Sequence, residues 1–176
     1  MELEHKTTLS AREDMALTGV TDMAVVQSSA GAVLYTTSRF GGGDLLAYRI
    51  DAEGGLRFLD SRAIAGDTRA GVTSRLEVVD GALLLTGADN AALTRVALTD
   101  DGRFGNVSAV TGGAVPAQLL AVETLDLSGQ SHLYGLVRGA DSIGSWRMGD
   151  NGALTRISGD SGVASEAGLT GLSVGY

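Results

Sequence analysis

Cysteine is absent from the 176-residue sequence, and proline and lysine occur once each. Without cysteine the chain has no disulfide, no thiolate zinc ligand and no cysteine nucleophile. Its one lysine is Lys6, and the formal net charge is −8. Because phosphate binding needs clustered positive charge, and the sequence has no basic stripe, we expect no nucleic-acid partner.

Long apolar runs are missing as well. No segment approaches the roughly 20 consecutive apolar residues that a membrane-spanning helix needs, so we expect no membrane insertion. The first residues, MELEHKTTLSARED, have no apolar core of the kind found in Sec signal peptides. The composition therefore fits a cytoplasmic protein, or an exported one that needs neither an N-terminal signal nor oxidative folding.

Glycine, in contrast, is abundant: 26 residues are glycine, and they stand at turn-like positions along the chain. Hydrophobic residues make up 44% of the sequence, enough for one domain, which we place at residues 1–176. Dispersed glycines in an apolar chain predict many short strands joined by tight corners rather than a flexible linker.

The sequence repeats itself in three segments, which begin 50 residues apart at Gly31, Gly81 and Ser131. Each segment contains an apolar strand, a polar corner, an alternating strand, a turn rich in Asp, Asn and Gly, and a further strand. One more strand precedes each segment. We label the four strands A to D, from the inside of the fold outwards. The predicted A strands cover 21–27, 74–79 and 122–127; the B strands 33–37, 83–87 and 133–137; the C strands 45–50, 93–98 and 143–148; and the D strands 56–63, 103–110 and 153–158.

Four strands in about 50 residues is the size of a propeller blade. The sequence therefore predicts an all-β fold, a β-propeller fragment with blades at about 19–65, 71–113 and 118–162; a β-sandwich is the alternative. Segment 5–11 (HKTTLSA) is an expected extra outer strand, and 169–176 an extra inner strand. Closed propellers have roughly four to eight blades. We therefore expect the ends to be covered in a homo-oligomer or by further blades of a longer chain.

The stretch VLYTTSRFGGGDLLAYRIDAEGGLRFLD, which begins at Val33, resembles a blade of the lactonase-like propellers of the YVTN type. It is more similar still to the N-terminal propeller-like regions of large secreted RTX calcium-binding proteins of alphaproteobacteria. That resemblance implies secretion without an N-terminal signal peptide, by a type I-like route, with a cytoplasmic location as the alternative. The sequence departs from related patterns, because it has no Trp-Asp signature, no kelch glycine doublet at the ends of the B strands and no tandem GGxGxD repeat.

The B–C corners and the starts of the A strands form the predicted ligand-binding face. The corners contribute Arg39, Asp44, Asp89, Asn90, Arg138 and Asp141, and the A strands contribute Asp22, Arg75 and Glu123 near the channel. Calcium takes about six to eight oxygen ligands and is the metal that such a set would suit. The alternative is that these residues are solvated turn formers. Because a strand rather than a helix follows Gly41–Asp44, we interpret it as a hairpin corner and not a phosphate-binding loop.

We interpret the histidines and the aromatic residues of strand C as structural residues. His5 and His132 are too few for a typical zinc site, and neither stands in a triad-like context, so no catalytic residue is assigned. Tyr48 and Trp146 occupy matching positions in strand C, with Val96 as the nearest counterpart in the second repeat. We expect these aromatic residues to pack between blades, and a sugar-stacking platform is the alternative.

These features favour a non-enzymatic binding or structural module of a secreted or surface-associated assembly, with a carbohydrate or a protein as its ligand. The lactonase resemblance implies an alternative, a hydrolase of a small ester or sugar lactone with Asp22, Arg75 and Glu123 at its channel. A lectin-like propeller that binds carbohydrate at shallow sites between blades is a third alternative. The sequence specifies no cofactor beyond the calcium ion that the predicted face would suit.

Overall fold

A computed structural model describes residue 5 and residues 19–38, 45–64, 75–86, 93–112, 119–137, 143–150 and 152–157. The regular structure in these ranges consists of β-strands. The strands are β1 (Val20–Ser28), β2 (Gly31–Ser38), β3 (Leu45–Ile50), β4 (Leu56–Arg62), β5 (Arg75–Val79), β6 (Ala82–Thr86), β7 (Thr94–Leu98), β8 (Phe104–Ala109), β9 (Leu119–Leu127), β10 (Gln130–Val137), β11 (Ile143–Met148) and β12 (Leu154–Arg156). None of the described residues belongs to a helix long and apolar enough to cross a membrane.

The strands form three antiparallel sheets of four strands each. The first sheet contains β1–β4, the second β5–β8 and the third β9–β12, and in each the strands lie side by side in chain order, as in a propeller blade. The prediction of an all-β, propeller-like fragment is therefore confirmed. The predicted extra strands at 5–11 and 169–176 lie outside the described residues, apart from His5.

The hairpin between the first two strands fixes the register of each sheet. The pairs nearest these turns are Ser28–Gly31, Val79–Ala82 and Leu127–Gln130. In the second and third sheets both turn residues, Asp80–Gly81 and Ser128–Gly129, have positive φ. That conformation defines a type I′ turn and matches the twist of the strands it joins. Positions in the three sheets can therefore be compared by counting from these hairpins.

This count corrects one prediction. Counted from the hairpins, Leu34, Leu85 and Leu133 are equivalent, and their partners on the third strand are Tyr48, Thr94 and Trp146. The counterpart of the two aromatic residues in the second sheet is therefore Thr94, and the expectation of Val96 was wrong. Val96 instead pairs with Leu83. The paired positions Leu85 and Thr94 are 9 residues apart in the sequence, whereas Leu34 and Tyr48 are 14 apart, so spacing in the sequence did not reveal the register.

The core lies between the sheets, in two clusters. Between the first and second sheets, Val33 and Tyr35 pack with Leu83 and Leu85 among other apolar residues. Between the second and third sheets, Leu84 belongs to a cluster that includes Leu133 and Trp146. All five residues of β6 are buried, because its two faces supply different clusters. A strand covered on both faces has a continuous apolar run, as Ala82–Thr86 does.

Both aromatic residues of the third strands are buried. Trp146 is 2% exposed and lies in the cluster between the second and third sheets, as expected of inter-blade packing. Tyr48 is 0% exposed, and its ring meets that of Phe58 edge-on at a centroid distance of 6.1 Å. A ring that stacks on a sugar needs an open face, so neither residue forms an exposed sugar-stacking platform.

Candidate functional site

Three of the nine predicted ligand-binding residues lie in the described part of the chain: Asp22, Arg75 and Glu123. They stand on β1, β5 and β9, the first strand of each sheet, and β5 lies between the other two. Arg75 and Glu123 occupy the same register position, whereas Asp22 lies two residues nearer the start of its strand. The other predicted residues lie outside the described ranges: Arg39, Asp44, Asp89, Asn90, Arg138 and Asp141.

The carboxylate of Asp22 joins the first sheet to the second. Its Oδ2 accepts a hydrogen bond of 2.9 Å from the backbone amide of Leu76, and its Oδ1 accepts one of 2.9 Å from the amide of Met23. A carboxylate that accepts two amide hydrogen bonds is well satisfied and orients the strands around it. In this structure Asp22 therefore has a structural role at the seam between two sheets.

Glu77 plays the matching role between the second and third sheets. The hydroxyl of Thr124 on β9 donates a hydrogen bond of 2.8 Å to Oε1 of Glu77 on β5. Desolvation by burial raises the pKa of Glu77, and the nearby charges of Glu123 and Asp22 raise it further, against the lowering effect of the Thr124 hydrogen bonds. The innermost strands thus carry three carboxylates, and the charges of Asp22 and Glu123 act on Glu77.

Sequence reasoning missed Glu77. A signal for it was present, because the segment SRLEVV places one acidic side chain among its last four, otherwise apolar residues, in phase with the buried Val79. Charged residues on a packed face of a strand are rare unless they have a partner. That partner, Thr124, lies 47 positions away in the sequence, so the contact itself could not be predicted.

The arrangement gives no metal centre in the described part of the molecule. There, no group of three or more His, Cys, Asp or Glu side chains could hold a metal ion. Calcium takes about six to eight oxygen ligands. The predicted calcium ion would therefore depend on the corner residues outside the described ranges, and it remains a prediction.

The seams also contain a repeated contact made by the turns between the third and fourth strands, which we call C–D turns. In the turn Thr99–Arg103 the carbonyl of Gly102 accepts a hydrogen bond of 2.7 Å from the hydroxyl of Tyr35 in the first sheet. The carbonyl of Asp101 in the same turn accepts a hydrogen bond from Arg49. The second sheet is therefore attached to the first partly through its C–D turn.

The third sheet has an open depression of about 300 Å³ on the side away from the second sheet. Five residues line it: His132, Arg147, Thr155, Arg156 and Ile157. The Nδ1 of His132 lies 2.8 Å from the carbonyl oxygen of Gln130, so the ring donates a hydrogen bond through Nδ1 to that acceptor. With two arginines and an imidazole, the depression suits a polar partner that carries carbonyl or carboxylate oxygens.

Comparison with solved structures shows the fold type. The chain is similar to a provisionally named 6-phosphogluconolactonase from Bacteroides uniformis, with 17% sequence identity and a TM-score of 0.52 over 79% of this chain and 43% of that one. It is similar in the same way to a second protein of that provisional name from Bacteroides fragilis, with 18% identity and a TM-score of 0.52 over 77% of this chain and 41% of that one. At this identity the likeness is one of fold: a lactonase-type propeller architecture.

The chain spans less than half of the length of these solved structures. No family model matches it, and no curated protein does. Nothing in these comparisons supports the resemblance to RTX proteins, which remains a prediction together with secretion and calcium binding.

Proposed function

We propose that this chain is a non-enzymatic structural and binding module, in which a row of sheets binds further protein through its two end faces as part of a secreted or surface-associated assembly. The observation that carries this proposal is the exposure of apolar side chains on the outer faces of the first and third sheets, chiefly on their inner strands β1 and β9. On the first sheet Met23 is 61% exposed and Val25 is 57% exposed. On the third sheet Leu125, Leu127 and Ile143 are 50%, 44% and 52% exposed.

These exposed side chains stand where the internal sheets have buried ones. Counted from the hairpins, Val25 is equivalent to Leu76, which belongs to the cluster between the first and second sheets. Ile143 is likewise equivalent to Leu45, which is 0% exposed. An apolar face of this kind marks an interaction surface, and burying it is favourable by about 25 cal/mol per Å².

The carboxylates of the inner strands agree with this proposal. Asp22 and Glu77 both accept hydrogen bonds that hold neighbouring sheets together. A general base or metal ligand would instead direct its oxygens towards the substrate. The supporting point is that two of the three inner carboxylates already have partners in the fold.

The second candidate function is hydrolysis of a sugar lactone. The names of the similar solved structures favour it, as does the raised pKa of Glu77 beside Asp22 and Glu123, because perturbed carboxyls cluster at active sites. In this reaction water would add to the lactone carbonyl and the acyl–oxygen bond would break, which yields the open-chain acid.

Turnover of 6-phosphogluconolactone tests the two functions. We expect acid release at the spontaneous rate when the purified chain is present. A faster rate that falls in Asp22→Asn and Glu123→Gln would contradict the proposal and establish the hydrolase. Asp100→Asn is the matched control, because Asp100 is an exposed carboxylate in the C–D turn of the second sheet, away from the inner strands.

A further inference from the structure

The C–D turns of the three sheets have one geometry. The amide of the fourth turn residue donates to the carbonyl of the first in each: Gly54 to Asp51 at 3.0 Å, Gly102 to Thr99 at 2.8 Å, and Gly152 to Gly149 at 2.7 Å. The three glycines share a positive φ of 83°, 84° and 77°. The three turns therefore share their closing hydrogen bond and a left-handed glycine.

Two of these turns are docked on the preceding sheet. Gly102 is buried, and a Cβ added to it would lie 2.6 Å from Cγ2 of Val33 and 3.2 Å from the hydroxyl of Tyr35. Gly152 is also buried, and its added Cβ would lie 2.9 Å from Cδ of Arg95 in the second sheet. At Gly102 the neighbouring sheet leaves no room for a side chain, whereas at Gly152 the flexible side chain of Arg95 would have to move. The positive φ favours glycine at both points.

The surface that receives a turn is also repeated. Val33, Leu84 and His132 are equivalent, and they pair with Arg49, Arg95 and Arg147. An arginine thus stands at the same position of the third strand in every sheet. Arg49 donates to the turn of the second sheet, and Arg95 lies against the turn of the third.

On the third sheet this receiving surface is exposed. Arg147 is exposed, whereas Arg49 and Arg95 are half-buried, and in the described part of the chain the side chain of Arg147 makes no hydrogen bond or ion pair. Tyr134 is equivalent to Tyr35, the hydroxyl donor to Gly102, and it is half-buried where Tyr35 is fully buried. The second sheet has Thr86 at this position, so the tyrosine–arginine pair occurs in the first and third sheets.

The turn of the first sheet is the complementary feature. Its glycine, Gly54, is exposed, in contrast to the buried Gly102 and Gly152. The turn also carries the exposed carboxylate of Glu53, and the receiving surface of the third sheet carries Arg147 and Arg156. Shape and charge therefore match between opposite ends of one chain.

We propose that Tyr134 and Arg147 form a socket for the C–D turn Asp51–Gly55 of a second copy of this chain, so that copies join head to tail. The interface continues the seams that already exist within the molecule, with Leu125 and Leu127 of one copy against Met23 and Val25 of the next. A head-to-tail contact closes into a ring or extends into a filament. Two copies supply six sheets, within the roughly four to eight of known propellers, so we expect a closed dimer.

In this arrangement the partner of the end faces is a second copy of the chain. The socket rests on the proposed function for the view that those faces bind protein. Different results would contradict the proposed function and the socket. Lactone turnover would contradict the proposed function and leave the socket intact, whereas a chain that never associates would contradict the socket and leave another protein ligand open.

The experiment is sedimentation equilibrium of the full chain over a wide range of concentrations, with three variants. We expect the wild-type mass to rise from 17.9 kDa towards twice that value. The double variant Tyr134→Phe with Arg147→Ala should raise the dissociation constant about tenfold or more, since it removes a hydroxyl donor and a charged donor. Gly54→Asn should act on the other side of the interface, because Asn tolerates positive φ but adds a side chain at the docking point.

Asn106→Ala is the control, since Asn106 is exposed on the outer strand of the middle sheet. Circular dichroism and the melting temperature establish that each variant folds. Association that both socket and turn variants weaken, and that the control leaves unchanged, supports the proposal. A monomer at every concentration, or association that the socket and turn variants leave at wild-type strength, overturns it.

Discussion

The hydroxyl of Tyr35 in the first sheet donates a hydrogen bond of 2.7 Å to the backbone carbonyl of Gly102 in the second, across a seam where the tyrosine is 0% exposed. The two residues are 67 positions apart in the sequence. The tyrosine ring also meets that of Phe104 at a centroid distance of 5.6 Å. The side chain of Tyr35 is therefore buried among apolar residues and also makes a directional hydrogen bond, which fixes the position of the second sheet relative to the first.

Tyr35→Phe should destabilise the fold by about 1–3 kcal/mol. The change keeps the ring but leaves the Gly102 carbonyl without its buried donor, and an unsatisfied buried acceptor costs about that much. Urea denaturation followed by circular dichroism measures the loss. Tyr134→Phe, at the equivalent position of the third sheet, is the control and should leave the stability of the monomer nearly unchanged. Equal effects of the two changes would contradict this account.

The ionisation of Tyr35 gives a second measure of the seam. Desolvation by burial raises its pKa from 10.0 to about 12, with Arg49 acting in the opposite direction. Because the folded state holds the proton more tightly than the unfolded chain, this contribution to stability is present below pH 10 and is lost as the pH rises towards 12. Ultraviolet titration of the tyrosines should show a group that ionises near 12 and that is missing in Tyr35→Phe. A titration curve that Tyr35→Phe leaves unchanged in that range would contradict it.

Glu77→Gln should stabilise the fold at neutral pH. The pKa of Glu77 is raised above 4.5, so the charged form is the less favourable one in the folded state, and stability falls as the pH rises through 4.5 and the raised value. Glutamine can still accept the Thr124 hydrogen bond but removes the repulsion from Glu123 and Asp22. Urea denaturation at neutral pH and at a pH below the carboxyl range should show a gain in the first condition that shrinks in the second.

Thr124→Val is the companion to that change. It removes the donor while keeping the shape, so it should destabilise the fold by about 1–3 kcal/mol, because Glu77 is left partly buried without its partner. A loss of stability in Glu77→Gln at neutral pH, similar to that in Thr124→Val, would show that the negative charge of Glu77 is needed at the seam.

The strands were predictable because their signals are local. The alternation in Leu45–Ile50 and Ile143–Met148 gave both strands with the bounds that the structure shows. Turns rich in Asp and Gly likewise marked the hairpins, since their positive φ suits few residues. The order of strands in each sheet followed from the same local pattern, because consecutive hairpins produce a meander.

The register and the seams were not predictable, because they depend on contacts between sheets. Aligning apolar residues paired Val96 with Tyr48, whereas the ladder places Thr94 there. The recurrence of Arg49, Arg95 and Arg147 becomes visible only when the hairpins are aligned. The sequence predicted Asp22 as a channel residue. Its hydrogen bond from the amide of Leu76, however, joins residues 54 positions apart and could not be read from a local pattern.

Gly112→Ala should destabilise the fold by about 1–3 kcal/mol, the usual cost of forcing extra atoms into a packed region. Gly112 forms a parallel bridge with Leu154 in the third sheet, and the amide of Leu154 donates to Thr111 at 2.9 Å. A Cβ on Gly112 would overlap the carbonyl oxygen of Leu154, and the φ of 133° also favours glycine. The change should therefore open the seam between the second and third sheets.

Gly129→Ala is the matched control, because Gly129 also has positive φ, at 77°, but has nothing within 4 Å of an added Cβ. It bears only the backbone cost of a left-handed conformation, about 1–2 kcal/mol. The fluorescence of Trp146, the one tryptophan of the chain, separates the two variants. Trp146 lies in the cluster that also contains Leu154. Gly112→Ala should shift its emission to longer wavelength as the seam admits water, and Gly129→Ala should leave the emission as in the wild type. Unchanged emission in both variants would contradict the placement of Gly112 at this seam.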